Sequence, residues 1–163
     1  MMINSSTTVK FVASAMAAAA CGALATGCNR GSEVTHTTLA GQAIDATQHG
    51  TKIAATLDGK SLSLPGPYTC GATQGLVTAT SAIGQTPSVL LALKQGTTDA
   101  SMITITPEQG KSYTWAAGTS QGNVSVTKSG DTYTATGKLP EMAFDSSSSL
   151  HEFKVEATCP GIK

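Results

Sequence analysis

From residue 51 onward, apolar side chains alternate with polar or small ones, and turn residues interrupt the alternation at short intervals. The first such run covers residues 53–57, and Leu62 and Leu64 continue the alternation after Asp58-Gly59. Successive side chains of a strand point to opposite faces, so this period of two indicates half-buried strands. An Asp-Gly pair between two such runs favours a hairpin, because a type I′ turn needs positive φ at both central residues.

Similar runs continue to the end of the chain, and no long segment shows the 3.6-residue period of a helix. Ser88–Lys94 is the main ambiguity, since a leucine-rich run also suits a helix. Val124 and Val126 are separated by Lys128–Asp131 from the run at Tyr133, which predicts another hairpin. The pattern therefore predicts an all-β domain over residues 51–163, an antiparallel β-sandwich or small barrel of about 7–9 short strands.

The N-terminal segment has the organisation of a secretory signal peptide. Residues 1–10 are polar and end in Lys10, and residues 11–25 carry no charge and are rich in alanine. A cationic start, a short apolar region and small residues before a cleavage site define such peptides. The alternative, a membrane-spanning anchor, needs roughly 20 strongly apolar residues, more than this run provides. We therefore expect residues 1–27 to be a lipoprotein signal peptide.

A cysteine follows the small residues at the end of this peptide, in the stretch Leu24-Ala25-Thr26-Gly27-Cys28. The stretch resembles the bacterial lipobox, in which the cysteine thiol is diacylglycerylated and becomes the acylated N-terminus. It departs from the usual pattern at Ala25, where a larger aliphatic residue is common. Lipidation of Cys28 would anchor the protein to the membrane, because two or more acyl chains bind stably. Simple secretion with a free Cys28 is the alternative, and Cys21 is a weaker candidate.

Residues 28–50 are rich in threonine and glycine and show no sustained apolar period. Such composition favours a flexible tether between the lipid and the β-domain. Threonine-rich tethers of exported proteins are also candidates for O-glycosylation.

Cys70 and Cys159 remain once Cys21 leaves with the signal peptide and Cys28 takes the lipid. Oxidising compartments favour a disulfide between such a pair. It would close a loop of about 90 residues, worth roughly 4–5 kcal/mol in the chain-entropy model. Two buried thiols are the alternative, and a metal pair has less support because no third ligand stands at suitable spacing.

Charge and motifs argue against several functional classes. Ten basic residues balance ten acidic ones without a basic block, so we expect no nucleic-acid partner. The sequence contains no P-loop, dinucleotide fingerprint or Cys-x-x-Cys motif, and we expect neither cofactor nor metal.

Two sets of residues invite a catalytic interpretation. Gly118–Gly122 fits the G-x-S-x-G pattern of hydrolases, but a strand rather than a helix is predicted after Ser120. His151 follows Asp145 and Ser146–Ser149, so an Asp/His/Ser set is conceivable, but triads are defined by geometry. We expect Ser120 in a loop and His151 as a solvated loop histidine, and the protein not to be an enzyme.

The lipobox, the tether, the cysteine pair and the segment Gly118–Tyr133 together resemble the LpqH-type lipoprotein antigens of mycobacteria, the 19-kDa antigen family. The resemblance covers the lipobox and roughly residues 52–159. It is most specific in Gly118–Asn123 and in the terminal Glu156–Cys159.

The resemblance implies a lipid-anchored protein on the outer face of the cell membrane, exposed at the surface or shed from it. It also implies sensing of the acylated N-terminus by host Toll-like receptor 2 and adhesion to other host surface molecules, without catalytic residues. The alternative function is a lipid or glycolipid carrier with a cavity between the sheets, although a domain of this size has little apolar surface to spare.

Overall fold

The computed structural model describes residues 35–39, 42–82, 84–142 and 149–162 of the 163-residue chain. Within these ranges the secondary structure consists of twelve β-strands, without a helix. The strands are β1 Thr35–Leu39, β2 Gln42–Thr47, β3 Lys52–Leu57, β4 Lys60–Leu62, β5 Thr69–Thr73, β6 Leu76–Thr80, β7 Ser88–Lys94, β8 Ala100–Glu108, β9 Lys111–Ala116, β10 Asn123–Ser129, β11 Thr132–Pro140 and β12 Leu150–Thr158. The predicted signal peptide, residues 1–27, and Cys28 lie outside the described residues.

The strands form two antiparallel sheets, which confirms the predicted all-β sandwich. One sheet has seven strands in the order β1-β2-β5-β6-β7-β8-β9, and the other has five in the order β10-β11-β12-β3-β4. The last strand, β12, lies in the middle of the five-stranded sheet, between β11 and β3. The five-stranded sheet therefore forms only when the C-terminal strand β12 pairs with β3, which lies early in the domain.

The described strands outnumber the predicted 7–9, partly because β1 and β2 fall within the range expected to be a tether. Residue Thr35 pairs with Ala46, and Thr47 pairs with Cys70 of β5. Threonine suits strands because it is β-branched, but β1 has no apolar alternation to indicate a buried face. Its pairing comes from backbone hydrogen bonds with β2, which the side-chain pattern does not encode.

Both predicted hairpins form. Asp58 and Gly59 have φ values of 49° and 75° and connect β3 to β4, as a type I′ turn requires. Val126 pairs with Ala135 across the β10–β11 hairpin, in which Gly130 has a φ of 57°.

The leucine-rich segment Ser88–Lys94 is strand β7, so the helical alternative is contradicted. It pairs with β6 on one side and β8 on the other, with Leu91 opposite Ala79 and Ile103. A central strand buried on one face accommodates large aliphatic side chains there, and Val89, Leu91 and Leu93 are all buried.

Side chains from both sheets fill the space between them. Leu91, Ile103 and Ile105 come from the seven-stranded sheet, and Leu139 and Val155 come from the five-stranded sheet; all are essentially inaccessible to solvent. Burial of aliphatic surface of this kind supplies the main favourable free energy of folding. The apolar strand positions therefore form a core.

Candidate functional site

A disulfide joins the two sheets. Cys70 lies in β5 of the seven-stranded sheet, and Cys159 follows β12 of the five-stranded sheet directly. Their Cα atoms are 5.5 Å apart, and both residues are 0% exposed. The alternative of two free thiols does not hold in this structure. Lipidation of Cys28 stays a prediction, because that residue is not among those described.

Ser120 lies in the exposed connection between β9 and β10. The G-x-S-x-G motif of hydrolases needs a helix after the serine, and the element that follows here is strand β10. Ser120 itself lines an open cavity of about 440 Å³, together with Thr114, Gly118 and Pro140. The geometry of this connection is that of a loop between strands, and it does not build a nucleophile elbow.

The structure corrects the expectation that His151 is a solvated loop histidine. His151 lies in β12, opposite Leu139 of β11, and its side chain is 22% exposed. Its ring packs edge-on against Tyr113 of the other sheet, with the ring centroids 4.7 Å apart and an angle of 63° between the planes. The predicted companion Asp145 lies outside the described residues.

His151 instead connects an aspartate on one side to a serine on the other. Its Nδ1 lies 2.6 Å from Oδ2 of Asp58, and its Nε2 lies 2.7 Å from Oγ of Ser149. These are hydrogen-bond distances, and they link the three side chains in the order that the Ser-His-Asp triad uses. We call Asp58, His151 and Ser149 the β12 triad.

Strand pairing places the members of the β12 triad together. Leu57 of β3 pairs with Phe153 of β12, so the turn after Leu57 lies beside the start of β12. The Asp58 amide donates to the Glu152 carbonyl at 2.8 Å, and the Glu152 amide donates to Oδ1 of Asp58 at 3.0 Å. Ser149 and His151 are two residues apart at the start of an extended strand, which puts them on one face.

A backbone contact between β9 and the residues after β11 lies beside the β12 triad. Tyr113 of β9 forms an isolated bridge with Glu141, and the Met142 amide donates to the Ser112 carbonyl at 2.7 Å. The Glu141 amide in turn donates to the Ser149 carbonyl at 3.4 Å. The backbone on both sides of the triad is therefore held to neighbouring strands.

The electrostatics of the site favour an ionised Asp58. The hydrogen bond with His151 holds the pKa of Asp58 below its ordinary value of 3.8, and the Glu152 amide and the nearby charge of Lys60 act in the same direction against the effect of burial. Burial raises the pKa of Tyr113, which stays neutral beside the imidazole ring. The carboxylate of Asp58 can only accept hydrogen bonds.

Sequence reasoning missed Asp58 because its local pattern is that of a turn residue. Asp58 and His151 are 93 residues apart, and only the pairing of β3 with β12 brings them together. The sequence did indicate a histidine close to serines, because His151 is the single histidine of the predicted β-domain and serines precede it. The aspartate that lies nearest to it in the sequence, however, is Asp145 and not Asp58.

The cavities give the lipid-carrier alternative little support. One cavity of about 240 Å³ has a mostly apolar lining, but its strand residues, among them Thr80, Leu90 and Thr104, all belong to the seven-stranded sheet. Another of about 360 Å³ lies where β8 and β9 face β10, and Asp99 and Ser125 are among the residues that line it. Neither is an apolar chamber between the sheets.

The described ranges contain neither a metal-binding cluster nor a membrane-spanning helix. No three His, Cys, Asp or Glu side chains within them are grouped so that they could hold a metal ion. No helix long and apolar enough to cross a bilayer occurs among the same residues.

Residues 46–159 match the family model described as the Mycobacterium 19 kDa lipoprotein antigen. The match covers well over half of the chain and includes strands β3–β12, both disulfide cysteines and all three members of the β12 triad. Among curated proteins, the sequence comparison found no match. By the extent of the family match, the chain belongs to the mycobacterial 19 kDa lipoprotein antigen family.

Proposed function

We propose that this protein is a lipid-anchored surface antigen whose acylated Cys28 is sensed by host Toll-like receptor 2 and whose β-sandwich adheres to host surface molecules. The family itself is one of lipoprotein antigens, and the family match is the observation that carries the proposal. The receptor and the adhesive role go beyond that match, and no enzymatic activity is part of the proposal.

The lipobox supports the anchor independently of the family match. Cys28 lies before residue 46, where the match begins, so the two observations rest on different parts of the chain. A diacylated or triacylated cysteine inserts enough CH₂ groups to hold a protein on a bilayer. The same acyl chains would be the ligand for Toll-like receptor 2, and the folded domain would not be needed for that recognition.

The disulfide and the packed core of the sandwich support an adhesive role outside the cell. The disulfide and the filled core suit a domain exposed outside the cell, where oxidising conditions keep cysteines paired. Because β1 and β2 belong to the seven-stranded sheet, the sandwich begins at Thr35, seven residues after the proposed lipid on Cys28.

Reporter cells expressing Toll-like receptor 2 test the first part of the proposal. Full-length protein and a Cys28→Ser variant are produced in a mycobacterial host and applied at equal concentration. We expect the wild type to activate the reporter and the variant to lose at least about 90% of that response, since a single event, acylation, is removed. Equal responses from both would refute recognition through the lipid.

Adhesion is tested separately with the Cys28→Ser protein, which retains the sandwich without the anchor. Beads coated with this variant should bind host cells more than beads coated with the same protein after reduction and heat denaturation. Equal binding by both would exclude an adhesive role of the folded domain and leave the receptor result unaffected.

A further inference from the structure

The β12 triad fixes which partner carries each proton. The Asp58 carboxylate accepts only, so Nδ1 of His151 must be the donor in the 2.6 Å contact between them. In a neutral imidazole the other nitrogen, Nε2, then has a free lone pair. With His151 in this neutral form, the 2.7 Å contact between Nε2 and Ser149 is a hydrogen bond that the serine hydroxyl donates. A hydroxyl that donates to an oriented imidazole has the arrangement of an activated nucleophile.

Accessibility distinguishes this serine from a buried structural one. Ser149 is exposed, whereas the ring of His151 is largely covered and rests against Tyr113. Asp58 is held in place by its two hydrogen bonds with the Glu152 backbone. The base is thus fixed while the nucleophile faces solvent, which is the division of roles that covalent catalysis requires.

We propose that Ser149 is a nucleophile that accepts acyl groups from small carboxylic esters, with His151 as its general base and Asp58 as a positioning residue. This inference is independent of the antigen function proposed above. Because Ser149 is exposed, a small ester in solution can reach its hydroxyl group without any opening of the fold.

The reaction balances without a cofactor. The Oγ atom of Ser149 forms a bond to the ester carbonyl carbon while its proton passes to Nε2 of His151. The bond from that carbon to the alcohol oxygen breaks, and the alcohol leaves with the proton from His151. Water then attacks the acyl-serine, gives one proton to His151, and releases the carboxylic acid as that proton returns to Ser149.

Labelling with a fluorophosphonate probe tests the proposal on the full mature chain with its disulfide intact. Peptide mapping by mass spectrometry measures the labelling rate at Ser149 and at Ser120, the exposed serine that serves as the internal reference. General-base assistance typically contributes about 10²–10⁴-fold, so Ser149 should be labelled at least about 100-fold faster than Ser120. Equal rates at the two serines would overturn the proposal.

Variants assign the roles. Ser149→Ala should abolish the fast labelling, and Ser120→Ala should leave it unchanged. His151→Ala should slow the labelling of Ser149 at least about 100-fold, and added imidazole should restore part of the rate by occupying the vacated space. Rescue by imidazole is a response that a purely structural histidine would not give, and an unaltered rate in His151→Ala would contradict a general base.

Asp58→Asn provides a second test if His151→Ala does not fold. An asparagine still accepts a hydrogen bond from the Glu152 amide, but it is no longer an anion beside Nδ1. Labelling of Ser149 should fall by about 10-fold or more while the thermal unfolding midpoint near neutral pH changes little. A labelling rate equal to that of the wild type would remove Asp58 from the proposal.

Release of p-nitrophenol from p-nitrophenyl acetate, as the acetyl group is transferred to Ser149, gives an independent readout. Wild-type protein should show a burst of p-nitrophenol with the stoichiometry of one acyl-serine, and Ser149→Ala should not. Because Ser149 is exposed, its replacement by alanine is expected to leave the fold intact. Identical time courses for the two proteins would overturn the nucleophilic role.

Discussion

The Cα atoms of Cys70 and Cys159 lie 5.5 Å apart although 89 residues separate them in the chain, and their disulfide links one sheet of the sandwich to the other. Cys70 pairs through β5 with β2 and β6, and Cys159 directly follows β12, the central strand of the opposite sheet. The disulfide therefore closes a loop that contains most of the described domain. Unfolding of either sheet is restrained by the other.

Replacement of both cysteines by alanine should lower the free energy of unfolding by about 2–5 kcal/mol, because the unfolded chain regains the freedom that the closed loop removes. Chemical denaturation of the Cys70→Ala/Cys159→Ala variant against the wild type measures the loss. Reduction of the wild type should produce a loss of similar size. A variant with unchanged stability would show that the bridge does not restrain unfolding.

The two faces of strand β7 should respond differently to truncation. Leu91 is 1% exposed and points into the core, whereas its neighbour Leu90 is only partly buried. Leu91→Ala should cost about 2–5 kcal/mol, because it leaves a cavity among packed aliphatic side chains. Leu90→Ala is the matched control and should cost clearly less. Similar losses for both would contradict the assigned face of β7.

Gly122 and Gly118 provide a matched pair for the loop that contains Ser120. Both have positive φ, 78° and 90°, so alanine introduces backbone strain at each. A Cβ atom at Gly122 would also collide with the carbonyl oxygen of Lys138, while one at Gly118 would meet nothing within 4 Å. Gly122→Ala should therefore be less stable than Gly118→Ala by about 1–3 kcal/mol. Thermal unfolding of the two variants measures this difference, and equal midpoints would contradict the packing of this loop.

Asp58 should make stability depend on acidity. Its pKa in the folded state is lowered, chiefly by the hydrogen bond with His151, so its contribution is present above the unfolded-state pKa of about 3.9 and is lost as the pH falls through the folded-state pKa. The stability advantage of the wild type over Asp58→Asn should therefore shrink below about pH 4. Because Asp58 is half exposed, the advantage should stay under about 1 kcal/mol. A difference that is constant from pH 6 down to about pH 2 would contradict this account.

Much of the fold could be predicted because the residues that favour a strand or a turn lie within that strand or turn. Alternation at residues 53–57 and the Asp58-Gly59 pair were sufficient to predict β3, its turn and β4, all of which the structure contains. Alternation does not say which strand is the neighbour, however, since many strands show the same period. The central position of β12 between β11 and β3 could therefore not be read from the sequence.

The members of the β12 triad could not be predicted for the same reason, because they depend on which strands are neighbours. Local sequence offered Asp145 and four serines as companions of His151, while the structure supplies Asp58 from the β3–β4 turn. That choice follows from the register in which Leu57 faces Phe153, a long-range pairing fixed by packing in the core. The serine at position 149, by contrast, was within the predicted set, because two residues along a strand keep the same face.

The proposed function depends first on the lipid anchor at Cys28. The most direct test is the intact mass of the protein extracted in detergent from its native host, measured beside a Cys28→Ser variant. We expect a wild-type chain that begins at Cys28 and is heavier by two or three acyl chains, with no such addition in the variant. An unmodified mature mass in both proteins would contradict it, and recognition by Toll-like receptor 2 would then have no ligand.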